Sequence, residues 1–160
     1  MSGSAYDLVH EKMLRGVLAM AGGDPGTAVM HAFDARQGAE AQAYVAYHFY
    51  AMAVEAASRV EIGEQHTGIL LATTAMGAIE TIQGSEYGLE TRAICCEAMR
   101  KAGSPQADAM TQRAAAHARK LAASIRDPQL GRLFRQRPVV ISLLGEPDGD
   151  ELAVPHGDGI

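Results

Sequence analysis

Apolar residues recur at every third or fourth position along most of this chain, a spacing that places them on one face of an α-helix. The clearest example follows Gly103, where Ser104 can cap a helix and Pro105 fits its first turn. The apolar face of that helix comprises Ala107, Met110, Ala114, Ala118, Leu121 and Ile125. No stretch shows the alternation of apolar and polar residues typical of a half-buried strand. We therefore expect an all-α protein.

Glycine, proline and capping residues divide the chain into six long predicted helices. These helices span residues 5–21, 26–36, 39–60, 64–83, 86–102 and 105–126. Gln37-Gly38 is the predicted turn between the second and the third helix. The third helix is apolar on two faces, so we expect it to be central, with neighbours on both sides.

A short seventh helix is predicted at the C-terminal end of the helical region. Asp127-Pro128 ends the sixth helix and begins the short one, and Arg137-Pro138 is expected to end it, because proline disfavours helix in the preceding residue. Three apolar side chains are available to cover the sixth helix: Leu130, Leu133 and Phe134. Of these, we expect Phe134 to be the core anchor.

The two ends of the chain differ from its body in composition. Residues 1–4 are small and polar, so we expect a disordered start or a tag remnant. Residues 146–160 contain five acidic side chains and no Lys or Arg, which accounts for the whole formal net charge of −5. This stretch lacks apolar periodicity, and we expect a flexible acidic tail that is dispensable for folding. Between them, residues 5–145 are predicted to form a helical-repeat domain of about neutral charge.

The predicted turns recur at a regular interval. The glycine turns at Gly22-Gly23 and Gly103-Ser104 lie about 80 residues apart, with Ile62-Gly63 midway, which indicates a helix-pair repeat of about 40 residues. In this phase the helix over residues 5–21 lacks the other half of its pair. Its apolar residues exceed what one neighbour can cover. We therefore expect either a homo-oligomer formed through the first helix or the continuation of a longer repeat array.

Residues 118–144 resemble the C-terminal end of tetratricopeptide-like domains of the maltose-regulator type, found in large bacterial signalling proteins with kinase, cyclase or ATPase modules. The resemblance rests on an alanine-rich helix followed by Asp127, Pro128, Leu130, Phe134, Arg137 and Pro138. Residues 84–105 are similar to the penultimate repeat of those domains. The resemblance implies a right-handed α-solenoid of tetratricopeptide-like helix pairs with a short C-terminal capping helix. It also implies a non-enzymatic protein-interaction or regulatory module of a bacterial signalling or transcription-regulating protein.

The sequence contains no motif that indicates catalysis, a cofactor or a metal. There is no phosphate-binding loop, and His10-Glu11 is followed by Leu14 where a zinc protease needs a second histidine. The six histidines fall on different segments, and no two are three or four residues apart. We expect no enzymatic activity, no cofactor and no metal site.

Two groups of side chains are candidates for a partner or ligand surface. Tyr44, Tyr47 and His48 cluster on the predicted third helix, a pattern typical of core packing and, less often, of a ligand groove. Arg132 and Arg135 belong to a basic C-terminal stretch that is either a solvated face or a site for an acidic partner. The main hypothesis is a protein or peptide partner. The alternative is a small-molecule-sensing helical domain with a pocket near the Tyr/His cluster.

Charge, cysteine content and hydropathy favour a cytoplasmic protein that binds neither nucleic acid nor membranes. The neutral body lacks the basic surface that nucleic-acid binding needs. Cys95 and Cys96 are adjacent on a helix and diverge in direction, so a mutual disulfide is geometrically poor and two buried thiols are expected. The first residues do not resemble a signal peptide, and no apolar run approaches the roughly 18 residues of a membrane span.

Overall fold

The computed structural model describes residues 4–146, within which the chain forms eight α-helices and no strand. The all-α prediction is confirmed. The helices are α1 (Ala5–Ala21), α2 (Pro25–Ala41), α3 (Val45–Glu61), α4 (Gln65–Thr81), α5 (Gly88–Lys101), α6 (Ala107–Ser124), α7 (Pro128–Arg135) and α8 (Pro138–Leu144). Residues 1–3 and 147–160 lie outside the described part, so the predictions for the start and the tail concern mostly residues that the structure does not describe.

Each helix packs on the next one along the chain, and α3 also packs on the two helices that lie two places away from it in the chain. Contacts run from α1 to α3 and from α3 to α5, so these three helices lie in a row. The third helix contacts α1, α2, α4 and α5, as its two apolar faces predicted. At the end of the row, α8 packs against both α5 and α6.

Four of the connections are made by the same turn. In each, the helix is followed by a residue with positive φ, and the N–H of the next residue donates to a carbonyl five residues back, as in a Schellman motif. The positive-φ residues are Gly23, Ala43, Gly63 and Gly103. Because α2 and α3 each contain 17 residues, the first three of these turns follow one another at equal intervals.

Ala43 is the only one of these four residues that is not glycine, with φ at 55°. A residue with a Cβ pays about 1–2 kcal/mol to adopt the left-handed conformation, and glycine avoids this cost. Glycine also has more conformational entropy in the unfolded chain, which offsets part of the gain. Ala43→Gly should therefore raise the free energy of unfolding by about 0.5–1 kcal/mol. Urea denaturation measures this change. Ala116→Gly, at an exposed position inside α6, is the control and should lower stability by about 1 kcal/mol. A comparable loss at both sites would contradict the prediction.

The predicted turn at Gln37-Gly38 is wrong, because α2 continues to Ala41 and α3 begins only at Val45. Gly38 lies inside α2, and its role is in the contact between α1 and α2. A Cβ built on it would lie 2.9 Å from Cγ2 of Val9, so the missing side chain lets α1 and α2 approach closely.

The predicted end of the helical region at Arg137-Pro138 is also wrong. These residues separate two helices, and Pro138 occupies the first position of α8, where its missing N–H costs nothing. The side chains that cover the core here are Val140 and Leu143 of α8, both buried. Leu130 and Leu133 of α7 are more than half exposed, and Phe134 is only partly buried against the core.

Three further features bear on the predictions. Ser4 was expected in the disordered start, but it caps α1, with its hydroxyl accepting from the N–H of Asp7 and the Asp7 carboxylate accepting from the N–H of Ser4. Cys95 and Cys96 are buried, free thiols, as expected. Among residues 4–146, no helix has both the length and the apolarity needed to cross a bilayer.

A buried carboxylate links α2 to α3. Glu55 is 1% exposed, and its oxygens accept from Nε of Arg36 at 2.7 Å and from Nε of Arg59 at 2.8 Å. Arg59 also donates through Nη1 to Glu64. One arginine from α2 and one from α3 therefore satisfy the buried charge and fix the position of α2 on α3. We call Glu55, Arg36 and Arg59 the Glu55 network.

Candidate partner-binding groove

A groove of about 740 Å³ lies at the C-terminal ends of α1, α3 and α5, with α8 along its other side. Six of its apolar lining side chains come from α1, α3, α5 and α8, and they are Met20, Ala57, Ala93, Ile94, Ala98 and Leu143. Half of these side chains are alanines, which are too short to fill the space between neighbouring helices. We call this feature the α5 groove, because α5 supplies more of its lining residues than any other helix.

The sequence of α5 explains why this helix dominates the groove. Residues three and four apart lie on the same helix face, so Ile94, Glu97, Ala98 and Lys101 form one continuous strip. Leu89 and Met99 belong to the core cluster instead, and Cys96 belongs to that cluster and also lines the groove. One helix therefore contributes both to the packed interior and to the open groove.

Charged side chains lie at one end of the α5 groove and pair with one another. Lys101 of α5 donates to Glu61 of α3 and lies 3.7 Å from Glu97, and Nη2 of Arg100 donates to Glu97 at 2.7 Å. The hydrogen bond to Glu61 is the main cause that raises the pKa of Lys101. With two acidic and two basic groups this end is neutral. Since ion pairs at such exposure are weak, these groups can exchange their partners for charges on a bound molecule.

Two of the three residues predicted to cluster, Tyr44 and Tyr47, belong to a group of tyrosines at the opposite ends of the same helices. Tyr47 is buried, and its hydroxyl is 2.5 Å from the hydroxyl of Tyr6 and 2.9 Å from Nδ1 of His10. Tyr44 is half-buried and meets Tyr6 edge to face, with ring centroids 5.6 Å apart. Tyr87 packs on Tyr47 with ring centroids 5.5 Å apart. This cluster joins the N-terminal ends of α1, α3 and α5.

Burial shifts the titration of two of these tyrosines. It raises the pKa of Tyr47 well above its usual value, helped by the hydrogen bond to Tyr6. It also raises the pKa of Tyr50 to about 12, with the negative charge of Glu90 as the next cause. Tyr50 stacks on Tyr87 with ring centroids 4.7 Å apart, so an ionised Tyr50 would be buried against an aromatic face.

We expect stability to fall at alkaline pH because of these tyrosines. A pKa that folding raises contributes stability that is fully present below the unfolded value of 10.0 and lost as pH rises through the folded value. The free energy of unfolding should therefore decline from about pH 10 to pH 12. Tyr50→Phe removes one of the titrating hydroxyls and should make this decline shallower. Urea denaturation at a series of pH values tests this, and equal slopes for the two proteins would contradict it.

The structure places the other predicted surface residues elsewhere. His48 faces α2, where its Nδ1 is 3.3 Å from the carbonyl oxygen of Arg36, so it does not share a face with Tyr47. Arg132 and Arg135 lie on α7, which packs on α6 and α8. The five predicted residues therefore occupy three separate places, and their role in partner binding stays a prediction.

The residues of the α5 groove are not among those predicted from the sequence. A signal was present in the repeat: Glu61 and Lys101 each stand two positions before a turn glycine, Gly63 or Gly103. Equivalent positions on α3 and α5 point in the same direction, so they were candidates for a shared surface.

The two cysteines are not activated as nucleophiles. Burial raises the pKa of both Cys95 and Cys96, which keeps these thiols protonated and poorly nucleophilic. Within residues 4–146, no group of three or more His, Cys, Asp or Glu side chains is placed to hold a metal ion.

Comparison with known proteins does not identify the chain. No protein-family model, curated protein or solved structure matches it. The resemblance of residues 118–144 to tetratricopeptide-like domains therefore stays a prediction.

Proposed function

We propose that this protein is a non-enzymatic protein-interaction module and that the α5 groove binds a segment of a protein or peptide partner. The observation that carries the proposal is the form of this groove. A cavity of about 740 Å³ is lined by residues of six helices, with small apolar side chains along it and exchangeable charges at one end. An apolar helix face or an extended peptide fits such a groove, since buried apolar side chains supply affinity and flanking charges set the register.

We also propose that the helices form a right-handed α-solenoid of tetratricopeptide-like pairs in which α8 is the capping helix. The row of α1, α3 and α5 and the equivalent turns at Gly23, Gly63 and Gly103 support this arrangement. Solenoids present such rows as extended binding surfaces. In line with the family resemblance, the proposed setting is a cytoplasmic bacterial signalling or transcription-regulating protein.

The tyrosine cluster favours the interaction module over the small-molecule sensor. The hydroxyl of Tyr47 already has Tyr6 and His10 as hydrogen-bonding neighbours, and its ring is enclosed by other aromatic rings. A ligand would have to displace these contacts. The open apolar lining of the α5 groove requires no such displacement.

Selection from a random peptide display library tests the proposal, followed by affinity measurement on the enriched peptides. Ala93→Trp fills the groove and should weaken peptide binding by about tenfold or more, since a single lost apolar contact of about 1.4 kcal/mol has that effect. Ala116→Trp, on an exposed face of α6, is the matched control and should leave binding unchanged. Circular dichroism establishes that both variants are folded.

Two results would contradict the proposal. One is a library that yields no peptide above background. The other is a set of peptides that bind Ala93→Trp as tightly as the original protein. In the supporting case, bound peptide also shifts the NMR methyl signals of Ile94 and Leu143, which line the groove, and leaves that of Leu70 on α4 unchanged.

A further inference from the structure

The first helix has an exposed apolar surface on the side away from its neighbours. It packs on α2 and α3 through its buried residues Val9, Met13 and Gly16. Its leucines are not among them: Leu8 is 55% exposed, Leu14 45% and Leu18 70%. Three leucines this exposed on a helix at the end of the α1–α3–α5 row indicate a surface that another element covers.

Part of the exposed surface of α1, which includes two of the three leucines, is arranged symmetrically about Met13, the midpoint of the helix. At about 100° per residue, Glu11 and Arg15 lie within about 20° of the line opposite Met13, and Leu8 and Leu18 within about 40° of it. Glu11 and Arg15 are equally far from Met13 along the helix, and so are Leu8 and Leu18. We call this set the α1 face.

Such a pattern is self-complementary for an antiparallel helix pair. When two identical helices cross about a two-fold axis at the height of Met13, each position before the midpoint meets one equally far beyond it. Leu8 then meets Leu18 of the partner subunit, and Glu11 meets Arg15 of the partner subunit. A two-fold contact uses the same patch on both subunits, and the α1 face satisfies that requirement in apolar and charged positions alike.

We propose that the α1 face docks a second copy of this chain, with the two α1 helices antiparallel and in full overlap. The charges select this orientation. In a parallel two-fold pair, Glu11 would face Glu11 of the partner subunit, and Arg15 would face Arg15 of the partner subunit, which is repulsive. In the antiparallel pair, the ion pair that Arg15 now makes with Glu11 at 2.6 Å within the helix becomes part of a four-charge cluster of alternating sign.

The same charges argue for a second copy over a preceding repeat of a longer array. A helix of different sequence has no reason to match an acidic and a basic residue placed symmetrically about the midpoint of α1. A second α1 matches both. The proposed dimer leaves the α5 groove open, because Met20 is the one residue of α1 that lines that groove.

Sedimentation velocity on the full chain, from low micromolar to millimolar concentration, tests the dimer, and charge exchange tests its register. Glu11→Arg alone places two guanidinium groups against each other across the interface, and Arg15→Glu alone places two carboxylates there. Each variant should sediment as a monomer. In an equimolar mixture, every cross-interface contact pairs opposite charges, so a heterodimer should form. An effect confined to the helix itself cannot produce this rescue, because neither chain changes on mixing.

The leucines provide an independent readout. Leu18→Asn removes two leucines per dimer and should raise the dissociation constant on the order of a hundredfold. Leu70→Asn is the matched control, since Leu70 is 61% exposed on α4, away from the α1 face. It should leave the dissociation constant unchanged. Circular dichroism of all variants establishes that they keep the helical fold.

Three outcomes would overturn the proposal. The original chain could remain a monomer at millimolar concentration, which is the result expected if α1 instead packs on a preceding repeat. The dimer could persist in Glu11→Arg, which would place the interface elsewhere. The mixture of the two charge variants could stay monomeric, which would exclude the antiparallel register. None of these results bears on peptide binding in the α5 groove.

Discussion

Replacing Glu55 with alanine is expected to lower the free energy of unfolding by about 3 kcal/mol. Removing one member of a buried ion pair typically costs about 3–5 kcal/mol, because the remaining charge has lost its partner away from water. The lower end applies here, since Arg59 keeps Glu64 as a second partner and both arginines retain some exposure. Glu55→Gln should cost less, because the amide oxygen can still accept one hydrogen bond.

Urea denaturation with a surface ion pair as the control measures the Glu55 effect. Asp34 pairs with Lys12 at 2.7 Å, but both side chains are roughly half exposed. Asp34→Ala should therefore change the free energy of unfolding by less than about 1 kcal/mol. Similar small losses for Glu55→Ala and Asp34→Ala would show that the Glu55 network is no stronger than a solvated pair.

Alanine in place of Gly68 is expected to destabilise the protein by about 1–3 kcal/mol, the usual cost of overpacking a core. A Cβ on Gly68 would lie 2.5 Å from Cγ2 of Val60 and 2.8 Å from the carbonyl oxygen of Ala56. The valine methyl can rotate away, but the carbonyl belongs to the backbone of α3. The substitution would therefore force α3 and α4 apart along their contact.

Gly77 provides the matched control in the same helix. A Cβ on Gly77 meets nothing within 4 Å, and the residue is exposed. Gly77→Ala should therefore stabilise the protein by about 0.5–1 kcal/mol through helix propensity alone. Thermal or urea denaturation of the two variants should give changes of opposite sign. Stabilisation at both positions would show that α3 and α4 are not in close contact at Gly68.

Local sequence signals located most of the helices, and they failed where a residue has a long-range role. The first helix matches its predicted bounds, because Gly22-Gly23 and Asp24-Pro25 end one helix and begin the next by local chemistry alone. Gly38 was misinterpreted as a turn because a glycine that admits Val9 of another helix looks the same in sequence as one that ends a helix. The true turn at Ala43 carries no glycine to mark it.

The candidate site was harder to predict than the fold for a related reason. The groove-lining alanines at 57, 93 and 98 have the composition of any helix interior, and only the packing of α3, α5 and α8 leaves space beside them. The tyrosines were easy to identify as candidates in the sequence, but in the structure their hydroxyls and rings mostly contact one another. A cluster of aromatic residues is readily predicted to be a binding site, whereas a groove lined by small residues has no local sequence pattern that predicts it.

The identical turns at Gly23 and Gly63 also bear on how such a chain can grow. The segment from Gly23 to Gly63 contains two antiparallel helices, α2 and α3. It therefore begins and ends with the same turn conformation, and the chain leaves it in the direction in which it entered. Duplicating that segment in the gene would add a helix pair and leave every later helix pointing as before. Duplicating only the stretch from Gly23 to Ala43 would add a single helix and reverse the direction of every later helix. Recombination should therefore have lengthened or shortened such chains in steps of two helices.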